Sequence, residues 1–337
     1  MYYKPLLIGE IGLSHEGSVG NAIALIDLAL KYNLDFIKFQ DHWADYESSF
    51  NEKMRVESLI DKNRYDYWQR TEFSFDEWQI IHNYLNTKNI KFCCSVFSPE
   101  SFYRQRSLGN NFWKLGSGEM LNNQLMNILK KELNTQDTLI ISTGLAELDS
   151  VLDFAKDFIN KVREIFVLDC VSMYPSNIDD YQISRWQKIK DYNKAIKFGL
   201  SDHTGSIWPS IFSWNYGSLL NEIHITFDKN MYGPDQKSSL DPKQLKLLNE
   251  ARDNFQKLIS NSELSRKNKY NEKMRTLFGR SIGFKHSLKA GHEIKEEDIQ
   301  LRKPANGINP NEISNIIGKV LARDYNYLEL LQKEDLK

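Results

Sequence analysis

Cysteine is scarce in this sequence, with 3 residues in 337. So few cysteines, in an odd number, exclude a disulfide framework. Two of them, Cys93 and Cys94, are neighbours whose side chains would leave a strand on opposite faces. No apolar run approaches the length of about 18 residues that crosses a bilayer, and no targeting pattern opens the chain. We therefore expect a cytoplasmic protein without a membrane partner.

The chain also lacks an excess of charge of either sign. Its 44 Lys and Arg residues nearly balance its 45 Asp and Glu residues. It therefore carries no basic footprint of the kind that binding to a phosphate backbone needs, and we expect no nucleic-acid partner. Small molecules are the expected partners.

Eight short apolar segments alternate with longer amphipathic ones. The predicted strands are residues 6–11, 36–40, 90–95, 112–115, 138–142, 165–169, 196–200 and 223–227. The segments between them, such as residues 20–32, carry apolar residues at helical spacing. Eight strands with intervening helices predict an α/β fold, a closed (β/α)₈ TIM barrel of parallel strands.

The sequence changes character after a predicted helix at residues 242–258. Residues 260–275 are polar and without clear periodicity, which indicates a linker. Short strand-like pieces and turn signals follow. We predict a barrel domain over residues 1–262, a linker over 263–279 and a small second domain over 280–337.

Polar residues stand at the ends of the predicted strands. They are Glu10, Lys38, Ser95, Lys114, Ser142, Cys170, Ser201 and His224. Barrel enzymes collect their reactive side chains at the C-terminal ends of the strands, so we expect an active site there. Any single member of the set could instead simply terminate its strand.

Two of these residues, Lys38 and Lys114, are cations inside apolar strands. Burying an unpaired charge is costly, so each lysine should meet an anion, which could be a structural carboxylate or a ligand phosphate. The sequences at 116–118 and 142–144 bring hydroxyl groups and glycines to neighbouring strand ends. Such turns let backbone N–H groups approach a phosphate closely.

Histidines and a carboxylate complete the candidates. His203 and His224 end the last two strands, where they could share a divalent metal or be hydrogen-bonded parts of the structure. Glu10 and the nearby His15 could transfer protons or bind substrate hydroxyls. Glu10 could equally form an ion pair with a lysine.

Seven motifs occur in order along the chain. They are Gly9-Glu10-Ile11-Gly12 with His15-Glu16-Gly17, Lys38-Phe39-Gln40, Lys114-Leu115-Gly116-Ser117-Gly118-Glu119, Ser142-Thr143-Gly144, Tyr174-Pro175, Gly199-Leu200-Ser201-Asp202-His203-Thr204 and Gly233-Pro234-Asp235. In these motifs the chain resembles the sialic acid synthase family. Its C-terminal segment resembles the antifreeze-like (SAF, β-clip) domain of those enzymes.

The resemblance implies a reaction. Phosphoenolpyruvate condenses with the open-chain aldehyde of an N-acylated hexosamine, giving a nine-carbon 2-keto acid and phosphate. By motif, His203 and His224 would hold Mn²⁺ or Mg²⁺. The residues implied to bind phosphoenolpyruvate are Lys38, Gln40, Ser95, Lys114, Ser117, Ser142 and Ser201. Those implied to bind the sugar are Glu10, Glu119, Tyr174, Asp235, Arg302 and Lys303. The implied catalytic residues are Glu10, Lys38, Lys114, Tyr174 and Asp235.

The chain departs from the family pattern on the sugar side. Ser14 and Glu16 replace asparagines, Gln236 replaces a histidine, and Lys303 replaces an arginine. The acceptor therefore stays open between N-acetylmannosamine and a 2,4-diacetamido-trideoxyhexose. The resemblance also implies a domain-swapped homodimer, in which each C-terminal domain caps the barrel of its partner.

Two other functions fit part of the pattern. A Schiff-base aldolase would use Lys38 or Lys114 as its nucleophile and would need no metal. The other is a non-catalytic sugar-binding barrel. The intact set of Lys, Ser and His residues argues against it, because sugar binding alone would not need two metal ligands.

Overall fold

The computed structural model describes residues 4–260 and 269–337. The chain divides into two compact units, Met1–Ile259 and Ser260–Lys337. Residues 261–268, which include part of the predicted linker, lie outside the described residues. Lys269–Phe278, the rest of that stretch, forms a helix that the sequence analysis did not predict.

The first unit is a closed barrel of eight parallel strands, which confirms the predicted fold class. The strands are β1 (Leu6–Glu10), β2 (Phe36–Asp41), β3 (Lys91–Val96), β4 (Phe112–Leu115), β5 (Thr138–Ser142), β6 (Glu164–Cys170), β7 (Ile196–Asp202) and β8 (Leu220–His224). The first strand pairs with the last, with Glu10 opposite His224, and this pairing closes the barrel.

The eighth strand lies three residues earlier than the predicted range of 223–227. It begins with Leu220-Asn221-Glu222, and two polar residues hide it in the sequence pattern. Asn221 is buried but satisfied, because its amide nitrogen donates to Ser213 Oγ at 2.7 Å and its oxygen accepts from Ser218 Oγ at 2.7 Å. Buried polar groups that find such partners do not prevent strand formation.

Helices connect the strands. Those of the first unit are α1 (Val19–Lys31), α2 (Ala44–Glu47), α3 (Arg64–Thr71), α4 (Phe75–Lys88), α5 (Pro99–Ser107), α6 (Asn123–Glu132), α7 (Leu148–Lys156), α8 (Ile183–Tyr192), α9 (Trp208–Asn215) and α10 (Pro242–Ser260). The first helix starts at an N-cap serine, Ser18, and buries the stripe Ala22, Leu25, Ile26 and Ala29 that its 3.6-residue period predicts.

The segment between β2 and α4 is an insertion into the barrel pattern. It contains α2 and α3 with irregular chain between them. Asn63 caps α3 by accepting a hydrogen bond from the backbone N–H of Asp66. This insertion supplies side chains to the C-terminal end of the barrel.

The interior of the barrel changes from apolar to charged along its axis. Ile8, Phe36, Phe112 and Phe166 pack together toward the N-terminal ends of the strands. Buried charged residues occupy the other end. The barrel therefore has a packed floor beneath a polar site.

The second unit is small. It contains α11 (Lys269–Phe278), β9 (Ser281–Phe284), β10 (Ile299–Arg302) and α12 (Ile313–Ile316), and the two strands pair antiparallel. A core of its own includes Ile282, Phe284 and Leu331. No helix over the described residues has both the length and the apolar composition of a membrane span.

Candidate active site

The strand register brings the predicted polar residues together. Glu10 lies between Lys38 on one neighbouring strand and His224 on the other, and Ser95 lies opposite Lys114. A cavity of about 240 Å³ opens at the C-terminal end of the barrel. The predicted residues that line it are Lys38, Gln40, Ser95, Lys114, Ser117, Glu119, Ser142, Tyr174, Ser201, His203, His224 and Asp235.

Oxygen acceptors surround the ammonium group of Lys38. Its Nζ atom lies 2.5 Å from Glu10 Oε2 and 3.6 Å from Glu222 Oε1, and it donates to Ser95 Oγ at 2.9 Å. Burial alone lowers the pKa of Lys38, but the charges of Glu10 and Glu222 outweigh it and raise the pKa above the ordinary value. Lys38 is therefore a fixed positive charge.

Glu222 is the central anion of the site, and the sequence analysis missed it. Its Oε1 atom lies 3.5 Å from Lys114 Nζ and accepts from Ser201 Oγ at 3.2 Å. Burial raises the pKa of Glu222, but the positive charges of Lys114 and Lys38 lower it by a larger amount. The net shift is therefore downward. The place of Glu222 two residues before His224 is the signal that could have revealed it, because side chains i and i+2 of a strand share a face.

Hydroxyl groups line the wall beside the lysines. Ser142 is buried, and its Oγ atom has no hydrogen-bond partner among the described residues. Ser117 Oγ accepts from Ser172 Oγ at 2.8 Å. Gly144 has a φ of +121°, and a Cβ there would lie 2.3 Å from Ser172 Oγ. The Ser172 hydroxyl can lie this close to the backbone at residue 144 only because glycine has no Cβ.

His203 and His224 face each other beside Tyr174. The centroids of the imidazole rings are 5.3 Å apart, and the ring of Tyr174 stacks on His203 at 4.0 Å. The Nδ1 atom of His203 lies 2.8 Å from the carbonyl oxygen of Val171, so this nitrogen donates and Nε2 keeps a free lone pair. Burial and the neighbouring His224 lower the pKa of His203 to about 3, so its ring is neutral.

This pair fits a divalent cation that takes its other ligands from water or substrate. The buried Nδ1 atom of His224 has no hydrogen-bond partner in the described chain, and Asp235 Oδ2 lies 3.7 Å away. Imidazole nitrogens are common metal ligands. Among the described residues, no group of three or more His, Cys, Asp or Glu side chains forms a complete metal site.

Asp235 is held from several directions at the mouth of the cavity. Its Oδ1 atom lies 2.5 Å from Arg55 Nη2, and its Oδ2 atom accepts from the N–H of Leu13 at 3.3 Å. Gly12 makes room for this arrangement, because a Cβ there would lie 2.8 Å from Asp235 Oδ2. Burial raises the pKa of Asp235, but His224 and Arg55 lower it, and the net shift is downward.

Arg55 is a second residue that the sequence analysis missed. It comes from the irregular part of the insertion, and its guanidinium group lies over the ring of Tyr174 at 4.1 Å. Its side chain is 29 % exposed. A charged residue in an irregular polar segment carries no signal in the sequence that it meets Asp235, which lies 180 residues further along the chain.

The loop after β1 contains His15, which matches the family pattern, and Glu16, which departs from it. His15 stacks on Phe73 at 4.4 Å, and burial and His42 lower its pKa to about 3. Glu16 accepts from Tyr67 and Arg70, at 3.0 and 3.1 Å. These contacts hold the loop after β1 against α3.

The remaining predicted residues lie as follows. Glu10 is fully buried and contacts the cavity-lining Lys38 and Gln40. Glu119 also borders a second cavity of about 460 Å³, and burial raises its pKa. In the C-terminal unit, Arg302 donates to the carbonyl oxygen of Phe284 at 3.2 Å, and Lys303 Nζ lies 5.5 Å from the ring centroid of Phe278.

Comparison with known proteins identifies the family of this chain. The NeuB family matches residues 25–263, and the SAF domain matches residues 279–337. The chain belongs to the NeuB family. The predicted resemblance is confirmed, and with it the C-terminal SAF domain.

Relatives cover nearly the whole of this NeuB-family chain. It is 30% identical over 337 residues to an N,N'-diacetyllegionaminic acid synthase of Campylobacter jejuni, covering 98% of this chain and 99% of the relative. It is 26% identical over 345 residues to an N-acetylneuraminate-9-phosphate synthase of Drosophila melanogaster, covering 94% and 91%. The fold is similar to the crystal structure of a Leptospira borgpetersenii sialic acid synthetase, with a TM-score of 0.66 over 80% of this chain and 90% of that one, at 24% identity.

These matches establish the enzyme class. The NeuB-family chain is a phosphoenolpyruvate-dependent synthase that forms acids of the sialic-acid type from an amino sugar. The non-catalytic sugar-binding alternative is therefore dropped.

Proposed function

We propose that this synthase condenses phosphoenolpyruvate with an open-chain N-acylated hexosamine and releases inorganic phosphate, giving a nine-carbon 2-keto acid. The observation that carries the proposal is the pair of buried lysines around Glu222. An anionic substrate can bind beside Lys38 and Lys114, because both ammonium groups converge on one position at the carboxylate of Glu222.

Phosphoenolpyruvate fits the hydroxyl-lined wall of the cavity. Its phosphate and carboxylate need several donors, and the lysines are joined there by Ser95, Ser117, Ser142 and Ser201. The unpartnered hydroxyl of Ser142 gains an acceptor when the phosphate binds. Gln40 supports this site through Glu10, to which its Nε2 atom donates at 2.7 Å.

The bond changes follow from the substrates. C3 of the enol attacks the aldehyde carbon and forms the new C–C bond, which leaves C2 electron-poor. Water adds to C2, and its first proton passes by way of Glu10 to the alkoxide that formed from the aldehyde oxygen. The second proton moves from the C2 hydroxyl to the phosphate as the C2–O bond breaks, which leaves the ketone and hydrogen phosphate. The carboxylates of Glu10 and Glu222 provide fixed negative charge where positive charge develops at C2.

His203 and His224 are the residues that would hold Mn²⁺ or Mg²⁺. A cation bound there supplies Lewis-acid polarisation of a substrate oxygen. The stacked ring of Tyr174 and the carboxylate of Asp235 hold the sugar beside the two histidines. Glu119 extends the same wall toward the second cavity.

The Schiff-base aldolase is the weaker alternative. An amine must lose its proton before it attacks a carbonyl. Glu10 and Glu222 raise the pKa of Lys38, which keeps it protonated. Lys114 meets the same carboxylate of Glu222.

The acceptor that we favour is a neutral 2,4-diacetamido-trideoxyhexose, with N-acetylmannosamine as the second choice. The two arginines at the mouth are already paired, Arg55 with Asp235 and Arg64 with Glu52. A phosphorylated sugar would need unpaired cations there. The C. jejuni relative is named for the diacetylated product.

We also infer a homodimer in which the SAF domain of one protomer completes the site of its partner. Arg302 and Lys303 would then contact the acceptor. The Lys303 ammonium group is a flexible point charge, whereas the planar guanidinium group of Arg302 can form two parallel hydrogen bonds. Arg302 therefore makes the larger share of these contacts.

The test is an assay of phosphate release from phosphoenolpyruvate in the presence of Mn²⁺. The acceptor panel contains N-acetylmannosamine, its 6-phosphate, a 2,4-diacetamido-trideoxyhexose and unacylated mannosamine. We expect phosphate and a nine-carbon keto acid, identified by mass spectrometry, with the neutral acylated sugars alone. Covalent trapping of the enzyme by borohydride in the presence of pyruvate, without phosphate release from phosphoenolpyruvate, would instead establish the aldolase.

A further inference from the structure

A chain of hydrogen bonds leads from the centre of the barrel toward the insertion. Gln40 Nε2 donates to Glu10 Oε1 at 2.7 Å, and Gln40 Oε1 lies 2.8 Å from His42 Nε2. His42 Nδ1 lies 2.8 Å from Glu47 Oε1, which also accepts from the backbone N–H of Trp43 at 3.1 Å. The chain therefore joins Glu10, next to Lys38, to the helix α2.

The direction of the Gln40 amide follows from its neighbours. Glu10 is paired with Lys38, so its carboxylate offers only acceptors to Gln40. Gln40 must present its NH₂ group to Glu10, and its carbonyl oxygen then faces His42. His42 Nε2 must therefore donate, and one proton sits between His42 Nδ1 and Glu47 Oε1, whichever atom holds it.

The imidazole ring of His42 cannot easily turn away from this geometry. It lies between two aromatic rings, with centroid distances of 3.8 Å to Trp68 and 4.2 Å to Phe97 and interplanar angles of 17° and 12°. The residue is only 6% exposed. Stacking on both faces fixes the plane of the ring, and the bond to Glu47 fixes its rotation within that plane.

We propose that His42 is a positioning residue, which orients the Gln40 amide and through it the Glu10 carboxylate beside Lys38. This inference rests on the proposed function, in which Glu10 acts at the reacting carbon. Without the ring N–H, the Gln40 carbonyl oxygen loses its partner, and only the bond to Glu10 still holds the amide. The Gln40 side chain can then move, and it no longer fixes the position of the Glu10 carboxylate.

A purely structural role is the competing explanation, because the stack also holds the insertion against the barrel. His42→Phe separates the two roles, since it keeps an aromatic ring in the stack and removes both nitrogen atoms. We expect kcat to fall about 10- to 100-fold, the usual effect of losing an outer partner of a reactive group. We expect the KM for phosphoenolpyruvate to change less than threefold.

Two further variants test which nitrogen matters. A glutamine side chain can place its amide nitrogen near the position of Nε2, whereas an asparagine nitrogen lies nearer that of Nδ1. His42→Gln should therefore retain more kcat than His42→Asn, although both lose the stack. Equal losses would count against the bond to Gln40.

The matched control is His82, on α4 outside the barrel. Its Nε2 atom also lies near a glutamine oxygen, 3.0 Å from Gln105 Oε1, and its ring packs on Phe92 at 4.6 Å. His82→Phe removes the same kind of bond at a residue that does not line the cavity. It should lower the unfolding temperature by an amount similar to His42→Phe and leave the kinetic constants unchanged.

A double-mutant cycle and a spectrum complete the experiment. In the Gln40→Ala background, His42→Phe should reduce kcat no further, whereas independent roles would give multiplied losses.

A spectroscopic test follows the Gln40 side chain itself. With ¹⁵N-glutamine labelling, its amide resonances can be assigned by their loss in Gln40→Ala. These resonances should shift in His42→Phe and not in His82→Phe. If the Gln40 amide resonances do not shift in His42→Phe, the positioning role of His42 is wrong, whatever the phosphate assay shows. If the wild-type enzyme fails the phosphate assay, only the proposed function is wrong.

Discussion

The two sides of the cavity are built differently. The side that we assign to phosphoenolpyruvate is made by strand residues. Lys38 and Lys114 both pair with Glu222, and each of the three is at most 4% exposed. The side that we assign to the acceptor is made by loops and the insertion, and Arg55 there is 29% exposed.

The difference follows from what each side must do. Strands in a closed barrel fix side-chain positions closely, which suits electrostatic stabilisation of one unvarying substrate. Loops tolerate sequence change, which suits the recognition of acceptors that differ between enzymes. Changes on the strand side should therefore reduce kcat, and changes on the loop side should alter the KM of the acceptor.

The largest expected effect is that of Glu222→Gln. The amide removes the negative charge between Lys38 and Lys114, so two buried ammonium groups lose their common partner. We expect kcat to fall about 1,000-fold, as for the loss of a preorganised charge in an enzyme site. Steady-state phosphate release measures this.

The control for that variant is Glu164→Gln. Glu164 begins β6 at the other end of the barrel, where it pairs with Lys197 and is 40% exposed. Its loss should leave kcat within twofold of wild type, because exposed pairs contribute little. If Glu222→Gln folds and keeps kcat within tenfold, the central role of this carboxylate is wrong.

The next effect in size is that of removing the metal. Chelation should abolish phosphate release, and Mn²⁺ should restore it. In calorimetry, His203→Ala and His224→Ala should each weaken Mn²⁺ binding at least about 100-fold, with the circular dichroism spectrum unchanged. Full activity of either variant in a metal-free preparation would exclude this metal site.

Arg55→Ala should have a smaller effect, confined to the loop side. The guanidinium group holds Asp235 and covers Tyr174. Losing a hydrogen bond of a charged group should raise the acceptor KM about 10- to 100-fold, with the KM for phosphoenolpyruvate unchanged. Lys53→Ala, an exposed charge in the same segment, is the control and should change neither. Equal increases in both KM values would remove the distinction between the two sides.

The smallest expected effect is that of the double variant Arg302→Ala, Lys303→Ala. We expect the acceptor KM to rise roughly fivefold and the KM for phosphoenolpyruvate to stay constant, since exposed polar contacts contribute modestly. After subunit exchange with His203→Ala, the acceptor KM should return to the wild-type value, because the one working site of each heterodimer carries both intact halves. Heterodimers that keep the raised KM would mean that the domain does not act across the dimer.

The sequence predicted those parts of the structure that follow from local periodicity. The alternation of short apolar and long amphipathic segments predicted the barrel, and strand ends located Lys38, Lys114 and His224. Glu222 was missed because buried polar residues hid the start of β8. Arg55 was missed because its partner, Asp235, lies 180 residues away in the chain, which no local periodicity encodes. His42 was missed although its partners Gln40 and Glu47 are close in sequence, because the irregular chain after β2 follows no helix or strand period.

One isotope measurement tests the proposed chemistry most directly. Phosphoenolpyruvate carrying ¹⁸O in the bridge between C2 and phosphorus is converted with the preferred acceptor, and both products are analysed by mass spectrometry. Attack by C3 followed by addition of water at C2 breaks the C–O bond, so the label should appear in inorganic phosphate. Label retained in the keto acid, after correction for carbonyl exchange, would show P–O cleavage and contradict the proposed reaction.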